Sequence, residues 1–179
     1  STHTYHLDST TTASPTARGG TSNSYRSFAV FARKRIGSDR IPLYVQEPMR
    51  RSFRQLQVET NHSVLLFSLG RQRTWLVPTR DRQLCSVETT LTANRRFDGG
   101  GMGCSGVRSS EIHGFNLYIS RTSFAEVLPK HSSPVPVSYK DGASTLLRAD
   151  RDGIVRATFN RPVRLISYTG PTGVKTHFT

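Results

Sequence analysis

Three consecutive cations, Arg33, Lys34 and Arg35, follow directly after a segment of small and apolar residues at 29–32. Guanidinium groups bind phosphate bidentately and stack on nucleobases. A strand that ends in such a triplet would carry positive charge to an anionic ligand. The triplet therefore predicts a phosphate-binding site, and the elements around it must supply the surface on which it lies.

Further cations occur in three groups that could extend this site. The groups lie between residues 40 and 54, around the single tryptophan, Trp75, and just before a glycine-rich segment. They are Arg40, Arg50, Arg51, Arg54, Arg71, Arg73, Arg80, Arg82, Arg95 and Arg96. Together they predict a broad phosphate-binding surface, not a narrow base-reading pocket. Trp75 could stack a base, and a place in the core is the alternative.

Acid–base chemistry has one candidate pair, Glu111 and His113. The two residues lie two positions apart, so on a strand both side chains would face the same side. A nuclease needs such a base and acid near a cation, whereas a polar pair on a solvated strand needs no catalytic role. The sequence contains no G-x-S-x-G or Cys–His signature. We predict a protein that is not an enzyme and that has neither a cofactor nor a metal site.

The charge balance narrows the choice of partner. The 179 residues include 25 Lys plus Arg against 12 Asp plus Glu, a formal net charge of +13. Such a surplus attracts polyanions. The bias towards Arg favours nucleic acid over an anionic membrane, although a GC-rich genome would produce the same bias. The longest apolar run, at 63–69, is too short to span a bilayer, so we expect a soluble protein with no membrane partner.

The cysteines and the amino-terminal segment give weaker signals. Cys85 and Cys104 form neither a zinc-site spacing nor a disulfide framework, and we predict reduced thiols. The chain begins at Ser1 without a signal sequence, which we interpret as a mature or trimmed form. Residues 1–24 are rich in Ser, Thr and Gly and predict a flexible arm. Residues 25–179 are predicted to form one strand-rich domain.

Short apolar segments bounded by Gly, Asn, Asp and Pro predict strands in the first half of this domain. The predicted strands lie at 26–35, 41–47, 53–60, 63–69, 73–77 and 83–91. In the last of these the apolar residues fit both a helical and an alternating spacing, so helix and strand both stay open. The glycine-rich segment at 98–106 lacks the G-K-[ST] ending of a phosphate loop and predicts a mobile connection.

The second half of the domain adds more strands and a short helix. Residues 115–120 have the pattern of a strand. Ser123 and Glu126 have capping-box spacing, which predicts a helix that Pro129 keeps short. A hairpin at 146–149 and 154–159, turning at 150–153, and a third strand at 162–168 complete the prediction. The predicted fold is α+β and strand-rich, with antiparallel sheets and one or two short helices.

The order of the segments over residues 25–131 resembles the Whirly fold. The resemblance rests on VFARKRI, PLYVQEP, LQVETNHSVLLFSLG, a Trp-containing strand and LYISRTSFAEVL. In that family a basic K-G-K-like segment ends the first strand, and an acidic residue followed by Pro ends the next. Here Arg33-Lys34-Arg35 and Glu47-Pro48 hold those places. The resemblance implies Whirly-like antiparallel sheets, built from two repeats of four strands and a helix.

Whirly relatives bind single-stranded nucleic acid and assemble as tetramers. In its Arg-rich character this chain is similar to the kinetoplastid mitochondrial RNA-binding proteins. That resemblance implies sequence-independent binding of guide RNA and messenger RNA, their annealing during RNA editing, a homo- or hetero-tetramer with a related chain, and the mitochondrial matrix. By position it gives the phosphate-binding role to Arg33, Lys34 and Arg35. Single-stranded DNA stays open as a ligand, and the alternative function is RNA packing in a mitochondrial ribosome or a viral capsid.

Overall fold

Strands dominate the structure, a computed structural model that describes residues 2–4 and 23–179. The strands are β1 Thr2–Thr4, β2 Val64–Leu69, β3 Gln72–Pro78, β4 Gln83–Leu91, β5 Phe97–Gly106, β6 Phe115–Ile119, β7 Ser123–Val127, β8 Val135–Tyr139, β9 Ser144–Leu147, β10 Ile154–Thr158, β11 Val163–Thr169 and β12 Lys175–Phe178. The helices are α1 Ala29–Ala32, α2 Leu43–Gln46, α3 Arg50–Gln55 and α4 Val107–His113, with 3₁₀ turns at Asn23–Ser27, Gly37–Asp39 and Thr60–His62. The predicted strand-rich α+β class is confirmed, with 46% strand and 19% helix. None of the described helices is long and apolar enough to cross a membrane.

The strands form three sheets. The front sheet has the order β2-β3-β4-β5, the middle sheet β10-β7-β6, and the back sheet β1-β12-β11-β8-β9. Neighbouring strands are antiparallel except β1 and β12, which are parallel. The antiparallel sheets that the sequence predicts are therefore present among the described residues.

The three sheets stack in layers, with helices α2 and α3 outside the front sheet. Neighbouring residues of a strand point to opposite faces. Val77 accordingly packs in a cluster with the helices, while Leu76 packs in a cluster with the middle sheet. Ile154 of the middle sheet lies in the same cluster as Leu76, whereas the next residue, Val155, lies in a third cluster with residues of the back sheet. The middle sheet is therefore covered on both faces.

Helices and turns replace the strands predicted at 26–35, 41–47 and 53–60, and those three predictions are wrong. Between residues 41 and 53 the buried apolar residues recur every four positions, which is a helical spacing. They are Ile41, Val45, Met49 and Phe53. This stripe packs against the front sheet, so burial on one helical face determines the local structure.

The front sheet confirms the strands predicted at 63–69 and 73–77 as β2 and β3, and the segment at 83–91, for which helix and strand were both open, is strand β4. The segment predicted as a mobile connection at 98–106 is instead strand β5, which pairs with β4 along its length. At position 100 glycine lets β5 lie close to β4, because an added Cβ there would be 2.6 Å from the Glu88 carbonyl oxygen. The prediction failed because glycine lacks the side chain on which strand patterns are based.

Cys85 and Cys104 form a disulfide, so the prediction of reduced thiols is wrong. The two residues lie opposite each other in the pairing of β4 with β5, with Cα atoms 4.0 Å apart. The spacing of the two cysteines in the sequence does not reveal this contact, because the contact depends on the register in which β5 pairs with β4. Disulfides persist in oxidising compartments and are rare in reducing ones. The matrix localisation implied by the resemblance stays a prediction that this bond helps to test.

The middle sheet contains strand β7 where a short helix was predicted, and that prediction is wrong. Ladder pairing with β6 on one side and β10 on the other outweighs the capping-box spacing of Ser123 and Glu126. Every residue from Phe124 to Val127 is buried. A run buried on both faces has no alternation that would distinguish strand from helix.

The carboxyl-terminal strands are present, but the predicted hairpin pairs differently. The strands predicted at 115–120 and 162–168 are confirmed as β6 and β11. The turn at 150–153 closes with a hydrogen bond from the Gly153 N–H to the Asp150 carbonyl oxygen. Its flanking strands separate, however, because β9 pairs with β8 and β10 pairs with β7. The turn therefore connects two layers.

The arm predicted at 1–24 falls mostly outside the described residues. Of that segment the structure describes Thr2–Thr4, which is strand β1 beside β12, and the start of the 3₁₀ turn at Asn23–Ser27. For the rest of the segment the arm remains a prediction.

Glu126 is a carboxyl group on the central strand of the middle sheet, with 1% of the residue exposed. Its Oε2 accepts a hydrogen bond from Asn116 Nδ2 at 2.9 Å, and its Oε1 accepts one from Tyr168 Oη at 3.1 Å. Burial raises the pKa of Glu126 to about 8, although the two hydrogen bonds act to lower it. The folded protein therefore holds a proton on Glu126 at neutral pH.

Replacing Glu126 by glutamine should remove a pH dependence of stability. The pKa of Glu126 in the folded protein lies above its unfolded value of about 4.3. The contribution of Glu126 to the free energy of unfolding is therefore largest below pH ~4.3 and declines as the pH rises towards 8. The decline should approach ~1.4 kcal/mol per pH unit. Glutamine can keep both hydrogen bonds and does not titrate. Urea unfolding at pH 5, 6.5 and 8 should show the free energy of unfolding of the variant rising relative to that of the wild type as the pH increases. A difference in free energy of unfolding that stays constant with pH would contradict the raised pKa.

Removing the disulfide should destabilise the fold. The bond joins residues 19 positions apart, and closing a loop of that size contributes about 3 kcal/mol in the chain-entropy treatment. The double variant Cys85→Ser/Cys104→Ser should therefore have a lower free energy of unfolding by about that amount. Urea denaturation of oxidised wild type, reduced wild type and the variant measures this. The reduced wild type should match the variant, and equal stability of all three would refute the prediction.

Candidate nucleic-acid interface

Arg33 lies at the point where the chain crosses the edge of the front sheet. Its Nη1 and Nη2 donate to the Asp39 carboxylate at 2.8 and 2.7 Å. Nη2 also donates to the Leu65 carbonyl oxygen at 3.2 Å, and Nε lies 3.4 Å from Asp152 Oδ2. Only 21% of the Arg33 side chain is exposed. These contacts occupy the guanidinium group, and we assign Arg33 a structural role in place of phosphate binding.

Asp39 is the buried partner of this ion pair, with no exposed side-chain surface. Besides the two bonds from Arg33, its carboxylate accepts backbone N–H bonds from Ile36 at 2.7 Å and Leu65 at 2.9 Å. Burial acts to raise the pKa of Asp39. The hydrogen bonds from Arg33, Ile36 and Leu65 together outweigh it, so the pKa lies below its ordinary value. Asp39 is therefore ionised in the folded protein at neutral pH.

The other two cations of the triplet have different surroundings. Arg35 donates to the backbone carbonyl oxygens of Asn61 and Ser63, the latter at 2.9 Å. It remains charged and exposed, with its side chain held against the chain that precedes β2. Lys34 is exposed. The triplet thus divides into one structural cation and two cations at the surface.

The helical segment, residues 34–55, carries the largest group of exposed cations among the sites predicted from sequence. Besides Lys34 and Arg35 it has Arg40, Arg50, Arg51 and Arg54, all exposed. None of these cations forms an ion pair with a described residue. Glu47 is the single exposed carboxylate in the segment. The exposed fractions of Leu43 and Tyr44 are 66% and 45%, so apolar and aromatic surface lies in the same segment.

A second cationic group lies at one end of the front sheet. Arg71 lies in the turn between β2 and β3, Arg73 lies near the start of β3, and Arg95 and Arg96 lie in the turn between β4 and β5. The Leu91 N–H donates to the Arg71 carbonyl oxygen at 2.9 Å, which brings these two turns together. Arg73 Nη1 donates to two backbone carbonyl oxygens of its own turn. We refer to the place of these four residues as the sheet end.

Trp75 belongs to the core. It is 3% exposed and packs in the cluster between the front sheet and the helical segment. Its Nε1 donates to the Ser38 carbonyl oxygen at 3.0 Å. An indole in this position has no free face for a base, so the core alternative describes Trp75.

Glu111 and His113 do not form the same-side pair that a strand would give, and that prediction is wrong. Both residues lie on α4, where positions two apart do not face each other. Glu111 Oε1 accepts from Ser27 Oγ at 2.8 Å, and His113 Nδ1 lies 3.1 Å from Thr176 Oγ1. Among the described residues, no three His, Cys, Asp or Glu side chains group as metal ligands would.

Arg33→Ala should destabilise the protein far more than Lys34→Ala. Loss of Arg33 leaves the buried Asp39 charge without its cation, and breaking such a pair costs about 3–5 kcal/mol. Lys34 is an exposed neighbour whose truncation should change stability by less than about 0.5 kcal/mol. Urea unfolding at pH 7 compares the two variants. Similar losses for both, or a small loss for Arg33→Ala, would refute the structural role.

Two groups of cations thus remain exposed to a ligand, on the helical segment and at the sheet end. Comparison of the chain with protein-family models, curated proteins and solved structures found no match.

Proposed function

We propose that this chain is a non-enzymatic protein that binds single-stranded RNA through its phosphate backbone, largely without regard to base sequence. The observation that carries the proposal is the helical segment. Six exposed cations there share the surface with one exposed carboxylate, Glu47. Neutralising phosphates would release counterions from the nucleic acid, which is the main source of affinity in sequence-independent binding.

The side chains beside the cations favour a single strand over a duplex. Tyr44 offers an exposed ring on which an unpaired base can stack, and Leu43 extends the apolar surface. Combined cationic and aromatic surfaces are typical of proteins that bind single strands. A base in a duplex is already stacked and paired, so it would gain little from Tyr44.

Holding RNA by its phosphates leaves the base edges free to pair. The proposal therefore includes promotion of RNA annealing, as in the pairing of a guide RNA with a messenger RNA. It also includes assembly with like or related chains, since several copies would bring two strands together. Both parts come from the Whirly resemblance, and the exposed cations of the helical segment and the sheet end support the annealing part. A single-stranded DNA of the same sequence tests whether the 2′-hydroxyl contributes.

The salt dependence of RNA binding tests the interface. The variant Arg40→Gln/Arg50→Gln/Arg51→Gln/Arg54→Gln removes four cations of the helical segment and leaves Arg33 in place. Each lost phosphate contact should flatten the log–log salt slope by about 0.7 for a single strand, so the full change approaches ~3. Fluorescence anisotropy with a labelled 20-nucleotide RNA, titrated between 50 and 300 mM salt, measures the slope.

The control removes equal charge from the opposite side of the stack. Lys140, Arg148, Arg164 and Lys175 are exposed cations in or beside the back sheet, and their replacement by Gln gives the same net charge. The control should keep a slope close to that of the wild type. If both variants lose affinity equally, general charge and not the helical segment binds the RNA; if wild type does not bind RNA, the proposed function is wrong.

A further inference from the structure

A cavity of about 600 Å³ lies beside β6 and β7 of the middle sheet, and residues of α4, of β5 in the front sheet and of β11 and β12 in the back sheet complete its lining. Its walls include Phe115 of β6, Ile166 of β11 and Phe178 of β12, with His113 of α4 on the same cavity. Small-molecule sites have volumes of roughly 300–1,000 Å³ and mostly apolar walls with a few polar groups. The size and the lining of this cavity match that description.

Two charged residues on the wall of this cavity form no ion pair with a described residue, the exposed Arg121 and the buried Glu126. The Glu126 carboxyl group accepts hydrogen bonds from two neutral groups, Asn116 Nδ2 and Tyr168 Oη. An ionised carboxylate has about four acceptor positions. No ion pair joins Glu126 to any cation in the described part of the chain. An ionised Glu126 therefore has no partner cation among the described residues, which leaves it to hold a proton or to pair with a cation that these residues do not supply.

The fold does not require an acid at this position. A glutamine could accept from Asn116 and donate to Tyr168, and it would avoid the cost of burying an ionisable group. Buried carboxyl groups in cavities are characteristic of binding and catalytic sites, where such a cost has a function. The position of Glu126 on the cavity wall therefore indicates a ligand that uses its charge.

We propose that the cavity binds a small organic amine whose ammonium group pairs with Glu126. The ammonium group supplies the missing positive charge, and the proton held by Glu126 passes to solvent when the ligand binds. The rings of Phe115 and Phe178 on the cavity wall suit both a cation and an apolar body. This site is separate from the RNA-binding proposal, because no residue of the helical segment is among those that line the cavity.

Isothermal titration calorimetry with matched probes tests the ligand class on the full chain at pH 7.5. The probes are tryptamine and benzylamine, their neutral counterparts tryptophol and benzyl alcohol, and the anion indole-3-acetate. At least one amine should bind about tenfold or more tightly than its alcohol, as expected for a buried charge-assisted hydrogen bond. Bound amine should also shift the NMR signals of the Asn116 side-chain amide, which contacts Glu126.

Two variants show whether Glu126 supplies the recognition. Glu126→Gln should weaken amine binding by about tenfold or more and leave alcohol binding within about twofold. Glu88→Gln makes the same chemical substitution on β4, in the front sheet, away from the residues that line the cavity, and should leave amine binding unchanged. Thermal unfolding confirms that both variants are folded.

Several results would overturn the amine site. The first is that no amine binds more tightly than its alcohol. The second is that Glu126→Gln keeps the amine affinity of the wild type. The third is that both variants lose amine affinity equally. Tightest binding by indole-3-acetate would point instead to Arg121, which also lines the cavity, and would likewise refute the proposal.

Discussion

The ion pair between Arg33 and Asp39 determines how the helical segment is attached to the sheets. The chain leaves α1 on the inner face of the front sheet and reaches α2 on its outer face, so it must pass the edge at β2. Asp39 fixes this crossing by accepting bonds from Arg33 and from the Leu65 N–H of β2. The neighbouring Ser38 carbonyl oxygen accepts from Trp75 Nε1 of β3. Buried charges require such complete bonding, so the crossing has one favourable geometry.

The proposed interface depends on that crossing. Helices α2 and α3 have only four and six residues, too few to be stable alone. They form because Val45 and Phe53 pack on the front sheet once the segment is anchored. The same packing turns Arg50, Arg51 and Arg54 to the surface. Arg33, one of the three cations for which the sequence predicted a phosphate-binding role, therefore acts indirectly by positioning the cations that follow it.

Sequence patterns predicted the elements whose burial alternates or is strongly apolar and missed those that tertiary contacts determine. Strands β2, β3 and β4 were predicted because their apolar residues are dense and bounded by turns. The helical segment was missed because its stripe from Ile41 to Phe53 crosses Pro48 and spans two helices, so each local window resembles a strand. For the interface, composition identified the exposed arginines. It could not identify the pairing of Arg33 with Asp39, nor the disulfide, because both depend on how the layers meet.

The middle sheet shows why a functional carboxyl group can escape sequence analysis. With both faces covered, the four residues from Phe124 to Val127 of β7 are buried, and Glu126 is one of them. In the sequence the same residue has capping-box spacing from Ser123, a pattern typical of an exposed helix start. The layering converts an ordinary surface residue into a buried acid beside a cavity. Because burial of an unpaired charge is costly, the position that the sequence disguises most is also the one where the structure gives the strongest reason to look for a ligand.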